Sequence, residues 1–505
     1  MNVEKSTINN QLTNKTLKGL FWSFSGTIFQ LISKFTVLIV LARLLTPEDF
    51  GVVSAAMIII SFSMIFSSLG IGPAIVQNPK LNDQHLSVGF TLSLTLGIFM
   101  TLLVWITSDF IAQFFQMESL SSIIKILSFT FIIQSFAVVG QALLERHLDF
   151  KSLAKIQVNS YVFGYGLVSI FIALLGGGIW ALTLGYMAQV FIQTISILLK
   201  QGHTKRISFS KKALNELLYF SGGFTLARVF NHLALQGDNI IIGRLLGAAA
   251  LGYYGRAYQL MVMPANLFGQ VLDKVLFPAM AKIQDDKLKL NLIFLRGTAI
   301  ISIVVLPFSI YLIIFAEELV LFLFGNEWIN IVVPFQFLAL GMLFRSSYKI
   351  SESVARATGA VYKRAWRQSI YACAVFLGSY LGHFWGLNGV ALGITIAIAI
   401  NFLLMTHLSI SLINGSWLSF FKAHTPSIFL VFIVMSASLI MKHFFYILGL
   451  SFFVVIPTSM FLVIVLLLLS IGLFPNLFLG KEGKWIFKRV LDYYKNMKMV
   501  RKNEW

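Results

Sequence analysis

The chain has 505 residues, 57% of them hydrophobic and only 12% charged, whereas soluble domains carry about a quarter charged side chains. An ordinary soluble protein is thereby excluded. Residues 50–79, 84–108, 126–144, 156–199, 297–316, 368–421 and 443–480 contain no Asp, Glu, Lys or Arg, and a membrane helix needs about 20 apolar residues. Transmembrane barrel strands are roughly ten-residue alternating segments, so these continuous runs predict an all-α polytopic membrane protein.

The N-terminus, MNVEKSTINNQLTNKTLKG, is polar and lacks the apolar core and cleavage site of a signal peptide. The first helix is expected to direct insertion itself. Hydropathy, with Gly, Pro and charge as punctuation, predicts about fourteen transmembrane helices, beginning near residues 17, 50, 86, 120, 155, 179, 216, 251, 292, 331, 367, 387, 425 and 449. Two divisions rest on slight punctuation: Gly176-Gly177-Gly178, and His383 to Gly386.

Most of the 39 Lys and Arg fall in alternate connections: the N-terminus, 71–85, 145–155, 200–215, 282–296, 353–367, 411–424 and 475–505. The opposite loops carry Glu48, Asp49, Asp109, Glu118, Glu317, Glu318 and Glu327. Lys and Arg are retained on the cytoplasmic side, so both termini are expected there. The net charge of +19 is thus explained by topology and gives no reason to invoke nucleic acid. The basic tail from Lys481 to Lys502 could also dock on anionic headgroups.

At an offset of 201 the sequence resembles itself. Ala42-Arg43-Leu44-Leu45-Thr46-Pro47-Glu48-Asp49-Phe50-Gly51 aligns with Gly243-Arg244-Leu245-Leu246-Gly247-Ala248-Ala249-Ala250-Leu251-Gly252. A repeat of six spans keeps orientation, as in transporters with parallel repeats. It predicts two pseudo-symmetric six-helix lobes plus two C-terminal helices: 1–200 (spans 1–6), 201–415 (spans 7–12), 416–474 (spans 13–14) and a cytoplasmic tail, 475–505. Two lobes around a central cavity is the architecture of alternating access.

Polar residues within spans are costly and therefore informative. In span 7, Arg228, Asn231 with His232, Leu235, and Asp238 with Asn239 share one helical face. Span 1 offers Ser23, Gly26 with Thr27, Gln30, and Ser33 with Lys34; span 8 offers Gln259, Asn266, Gln270 and Asp273. In span 10, Arg345, Lys349, Glu352 and Arg356 align at spacings of four, three and four. Deep cations imply an anionic substrate, and the surrounding amides and hydroxyls one rich in hydroxyl groups. Ion pairing or snorkelling is the competing explanation, favoured for Lys349 and Arg356, and a structural role is favoured for Arg43 and Arg244. Asp238 and Asp273 are candidates for carrying a coupling proton or sodium ion, or for neutralising Arg228 and Lys274.

There is no GxxxxGK[ST] phosphate loop, the scattered histidines lack ligand spacing, and Cys373 stands alone in an apolar run. No metal, no cofactor and no catalytic residues are expected.

Leu41-Ala42-Arg43-Leu44-Leu45-Thr46-Pro47-Glu48-Asp49-Phe50-Gly51, with Leu69-Gly70-Ile71-Gly72-Pro73-Ala74-Ile75-Val76-Gln77, resembles the start of polysaccharide exporters of the colanic acid and teichuronic acid type. Gly237-Asp238-Asn239-Ile240-Ile241-Ile242-Gly243, Leu251-Gly252-Tyr253-Tyr254 and Val275-Leu276-Phe277-Pro278-Ala279 resemble the same family, within the multidrug/oligosaccharidyl-lipid/polysaccharide flippase superfamily. The resemblance implies a bundle of twelve to fourteen helices in the bacterial cytoplasmic membrane. It implies translocation of undecaprenyl-pyrophosphate-linked oligosaccharide, with membrane lipids, a polysaccharide polymerase and glycosyltransferases as further partners. On that basis Lys34, Arg228 and Arg345 are expected to engage the pyrophosphate, and Gln30, Asn231, Asn239, Asn266 and Gln270 to line the glycan path. The rivals are a lipid II flippase, a drug or cation antiporter, which would want an acid-rich cavity, and a membrane-embedded transferase or polymerase.

Overall fold

The computed structural model describes residues 29–202, 206–211, 214, 232, 235–272 and 276–480, with the backbone alone at 270 and 271. Nine helical stretches among these residues are long and apolar enough to cross a membrane, or ten when Leu120–Ser135 and Val138–Arg146, bent by 49° at their junction, count as one. The chain is a multi-pass membrane protein. It divides into two compact units, Met1–Gly252 and Tyr253–Trp505.

The first unit opens with α1 (29–44) and α2 (Pro47–Ser68). Thr46 and Asp49 cap each other's backbone N–H at the start of α2, and Pro47 occupies the first helical position, where its missing donor costs nothing. The short α3 (Ile71–Gln77) lies inside the connection assigned to the cytoplasm, with Ile71 and Ile75 buried. Then come α4 (Asp83–Phe115), α5 (Leu120–Ser135), α6 (Val138–Arg146), α7 (Phe150–Leu174), α8 (Ile179–Lys200) and α9 (235–245).

Arg146 closes α6 onto α3. Its Nη1 donates to the carbonyls of Ile75 (2.8 Å), Val76 (3.1 Å) and Asn78 (2.7 Å). These are the orphan acceptors of a helix C-terminus, where a cation is also favoured by the helix dipole. Hydrogen bonds to a charged group contribute about 1.5–3 kcal/mol. Arg146→Ala is therefore expected to destabilise the purified protein by about 3 kcal/mol, read as a lowered thermal midpoint in detergent. Arg146→Lys should recover only part, because an ammonium lacks the guanidinium fork.

Both slight punctuation marks are turns. Gly176 and Gly178 take positive φ (78° and 48°) between α7 and α8, and Gly164 of α7 backs directly onto the Gln189 backbone of α8. The second falls in the other unit, within the 52-residue stretch Val361–Leu412. There α15 (Val361–Gly382) and α16 (Gly386–Leu412) flank Gly386 at φ +65°. Gly378 backs onto Gly393 and Gly382 onto Gly389. Those pairs share one antiparallel register, so the stretch is a hairpin rather than one long helix.

The two copies of the motif meet in one contact. The second copy of the motif opens α10 (Gly247–Val271). A Cβ on Gly51 would collide with the Ala248 carbonyl, and one on Gly252 with the Pro47 carbonyl. Pro47 and Ala248, like Gly51 and Gly252, are 201 residues apart. The contact is thus reciprocal, as in a two-fold interface.

The second unit continues with α11 (Phe277–Lys282), α12 (Lys287–Ile314), α13 (Ala316–Leu323) and α14 (Asn326–Ala357). After the hairpin come α17 (Trp417–Ile447), α18 (Phe452–Leu473) and the short α19 (Pro475–Phe478). Lipid supplies no hydrophobic drive between helices, so small residues make the close contacts. Ser93, Ser108, Ser128, Ser160, Ser302 and Ser409 are wholly buried. Ser93 satisfies its hydroxyl on the Gly89 carbonyl at 2.8 Å. Ile106, Phe110, Phe432, Phe461 and Leu468, by contrast, are more than half exposed, as lipid-facing side chains are.

Candidate functional site

In the first unit, α1 sets Gln30 and Lys34 one turn apart. The exposed Lys34 ammonium stands 5.7 Å from the centre of the Tyr161 ring, which stacks on Tyr165 at 5.3 Å. Both tyrosines belong to a π-helical segment of α7, Ser160–Leu167. Gly164 in that segment meets the α8 backbone and Gly166 admits Val37 of α1, so two glycines let the widened turn bring Tyr161 to Lys34. Turns of this kind recur at functional sites. Among the described residues no carboxylate lies within ion-pairing distance of Lys34.

The α9 residues form a separate polar group. Asp238 is buried and accepts from the Asn239 backbone N–H at 2.8 Å, while the Asn239 amide donates to Gln236 at 2.8 Å. His232 packs against Phe62 of α2, ring centres 5.7 Å apart. No hydrogen bond joins Asn239 to Gln30 or Lys34 among the described residues. Arg228, Asn231 and Asp273, together with the Gln270 side chain, lie outside them.

In the second unit, α14 carries the aligned charges, and Arg345, Lys349 and Glu352 form one network. Arg345 and Lys349 flank the Tyr348 ring at 5.5 and 5.1 Å from its centre, and Arg345 donates to the Tyr371 hydroxyl at 3.2 Å. Lys349 pairs with Glu352 at 3.3 Å, and Arg364 of α15 pairs with the other Glu352 oxygen. Arg356 lies over Phe277 at 4.7 Å. The stem of Lys349 runs beside Gly269 of α10. Asn266 of α10 is exposed. The opposite face of α14 is serine-rich and buried, and Ser409 of α16 donates to the Ser351 carbonyl at 3.2 Å.

Lys349 and Arg364 thus share one carboxylate, and the segment Met342–Ala357 of α14 carries three cations, Arg345, Lys349 and Arg356, against the one acid Glu352. The pairing expected for Lys349 is present. The Tyr161/Tyr165 platform, Tyr348, Tyr371 and Arg364 were not singled out in the sequence. Paired glycines within the run 160–167 signal the first, while Arg364 lies in the basic connection 353–367, where topology alone accounts for a cation. Removing the carboxylate should separate stability from anion binding. Glu352→Gln is expected to cost about 1–2 kcal/mol, since its pairs are partly exposed, with a lowered thermal midpoint and anion binding retained.

A family model described as polysaccharide biosynthesis protein matches residues 40–333. The chain belongs to that family. Its relatives include the Escherichia coli K12 lipopolysaccharide biosynthesis protein WzxC, 26% identical over 80% of this chain and 83% of that one. Another is the Bacillus subtilis 168 teichuronic acid biosynthesis protein TuaB, 26% identical over 69% of this chain and 72% of that one. Among solved structures, the lipid II flippase MurJ in an inward closed conformation superposes with a TM-score of 0.72 at 16% identity, covering 91% of this chain and 99% of its own. The family member therefore has a MurJ-like fold, and at that identity the likeness concerns fold alone.

Proposed function

We propose that this protein moves undecaprenyl-pyrophosphate-linked oligosaccharide repeat units from the cytoplasmic to the outer leaflet of the bacterial cytoplasmic membrane, by alternating access, for surface polysaccharide synthesis. The observation that carries the reading is the α14 network, where Lys349 and Arg364 share Glu352 and Arg345 stands beside Lys349 against the Tyr348 ring. Excess cations within a span suit a diphosphate, and a polyprenyl tail can stay in lipid. The names of WzxC and TuaB place those relatives in lipopolysaccharide and teichuronic acid biosynthesis.

Within this proposal Lys34, Arg228 and Arg345 hold the pyrophosphate. Gln30, Asn231, Asn239, Asn266 and Gln270 offer hydrogen bonds to the glycan, and Asp238 and Asp273 are candidates for ion coupling. The full chain makes fourteen crossings with both termini in the cytoplasm, and it carries out transport rather than catalysis. Lys34 supports its part because its described partner is an aromatic ring, which leaves the positive charge for a ligand.

A lipid II flippase is the second reading, since that cargo also bears a pyrophosphate. Deleting the gene discriminates between the two. Loss of surface glycan in viable cells, with the pyrophosphate-linked oligosaccharide accumulating in the inner leaflet, supports the exporter. Unchanged glycan and leaflet distribution in a strain lacking any redundant exporter rejects it, and lethality with accumulated lipid II favours the second reading.

A further inference from the structure

A polar cavity of about 240 Å³ lies in the first unit, where α5 breaks into α6. Its polar lining is Ser67 and Ser68 at the end of α2, Gln134 and Ser135 at the end of α5, and Gln141 and Glu145 on α6. Helix ends of both signs border it, so the side chains set its character.

Their hydroxyl donors are already committed. The Ser67, Ser68 and Ser135 hydroxyls point back to the carbonyls of Met64 (3.3 Å), Ile65 (3.5 Å) and Ile132 (2.6 Å), the usual back-bonding of serine in a helix. The Gln141 amide donates to Glu145 at 3.0 Å. The serine and glutamine oxygens therefore keep lone pairs for a ligand, and Glu145 adds one carboxylate. Among the described residues the lining holds no Lys or Arg, and the neighbouring Arg146 is turned away onto the α3 carbonyls. Among the described residues Glu145 has no ion-pair partner.

We propose that this cavity binds a sodium ion, with Glu145 as the charged ligand and the serine and glutamine oxygens completing a hard-oxygen shell. The space admits the ion together with several waters. Broken membrane helices, whose carbonyls leave the helical ladder, supply cation ligands elsewhere by the same physics. The inference stands independently of what the protein carries.

The test is thermal unfolding of the purified full-length protein in NaCl against choline chloride at equal ionic strength, with binding of radioactive Na+ measured alongside. Sodium is expected to raise the wild-type midpoint by about 2 °C or more, and Glu145→Gln to lose both the shift and the bound ion. Equal midpoints in the two salts overturn the proposal, as does a midpoint that follows pH and ignores sodium. A sodium shift retained in Glu145→Gln overturns the assignment to this cavity. Should that variant fail to purify, Gln134→Leu is expected to raise the half-maximal sodium concentration about tenfold, and an unchanged value counts against the site.

Discussion

Arg345→Ala is expected to slow export of lipid-linked oligosaccharide by about 10- to 100-fold while leaving a folded protein. Arg345 is half-buried, and the structure gives its guanidinium a tyrosine hydroxyl and a tyrosine ring. Losing a charge-assisted contact to phosphate costs about 1.5–3 kcal/mol, which converts to that range of rates. Lys349→Ala should do less to transport, because its ammonium already answers Glu352 at 3.3 Å, and more to stability. Arg228→Ala, argued from the sequence stripe, should resemble Arg345→Ala. Normal transport by both arginine variants, in cells containing wild-type amounts of each protein, removes the pyrophosphate assignment.

Gly252→Val is expected to be among the most damaging single changes to the fold, and Gly51→Val to match it. At each position the first added carbon meets a backbone carbonyl, of Pro47 or of Ala248, and backbone cannot swing aside as a side chain can. Overpacking at such a contact costs about 3 kcal/mol, enough to reduce the folded yield in the membrane severalfold. Because the two glycines share one interface, the double variant should cost less than the sum. Gly255→Ala, one turn further along α10 with open space around it, provides the control and should be neutral or slightly stabilising. Unequal effects at the two repeat-related glycines, with only one disruptive, would contradict the reciprocal contact.

What could be read from the sequence depended on whether the signal was long or local. Charge-free runs exposed the membrane helices, because the bilayer imposes the same requirement on every spanning residue. The turns at Gly176–Gly178 and His383–Gly386 were legible because positive φ and a tight reversal call for glycine. The match at offset 201 aligned two motifs whose glycines, Gly51 and Gly252, touch. The α5/α6 break was silent: Ser135-Phe136-Ala137-Val138 contains neither Gly nor Pro. The π-helical turn was equally hidden, since a uniformly apolar run does not distinguish four-residue from five-residue hydrogen bonding. The α14 charges were legible by spacing, but their partners Tyr371 and Arg364 come from the next helix, which periodicity on one helix does not reach.

The most direct test reconstitutes the purified protein into vesicles holding undecaprenyl-pyrophosphate-linked oligosaccharide recovered from the deletion strain. An added glycosidase that acts only on the outer face reports each molecule that crosses. The proposed function predicts that wild-type vesicles lose their protected pool with time, that Arg345→Ala vesicles lose it far more slowly, and that protein-free vesicles keep it. A protected pool that persists equally with wild-type protein and without it would contradict the assignment of this chain as the flippase.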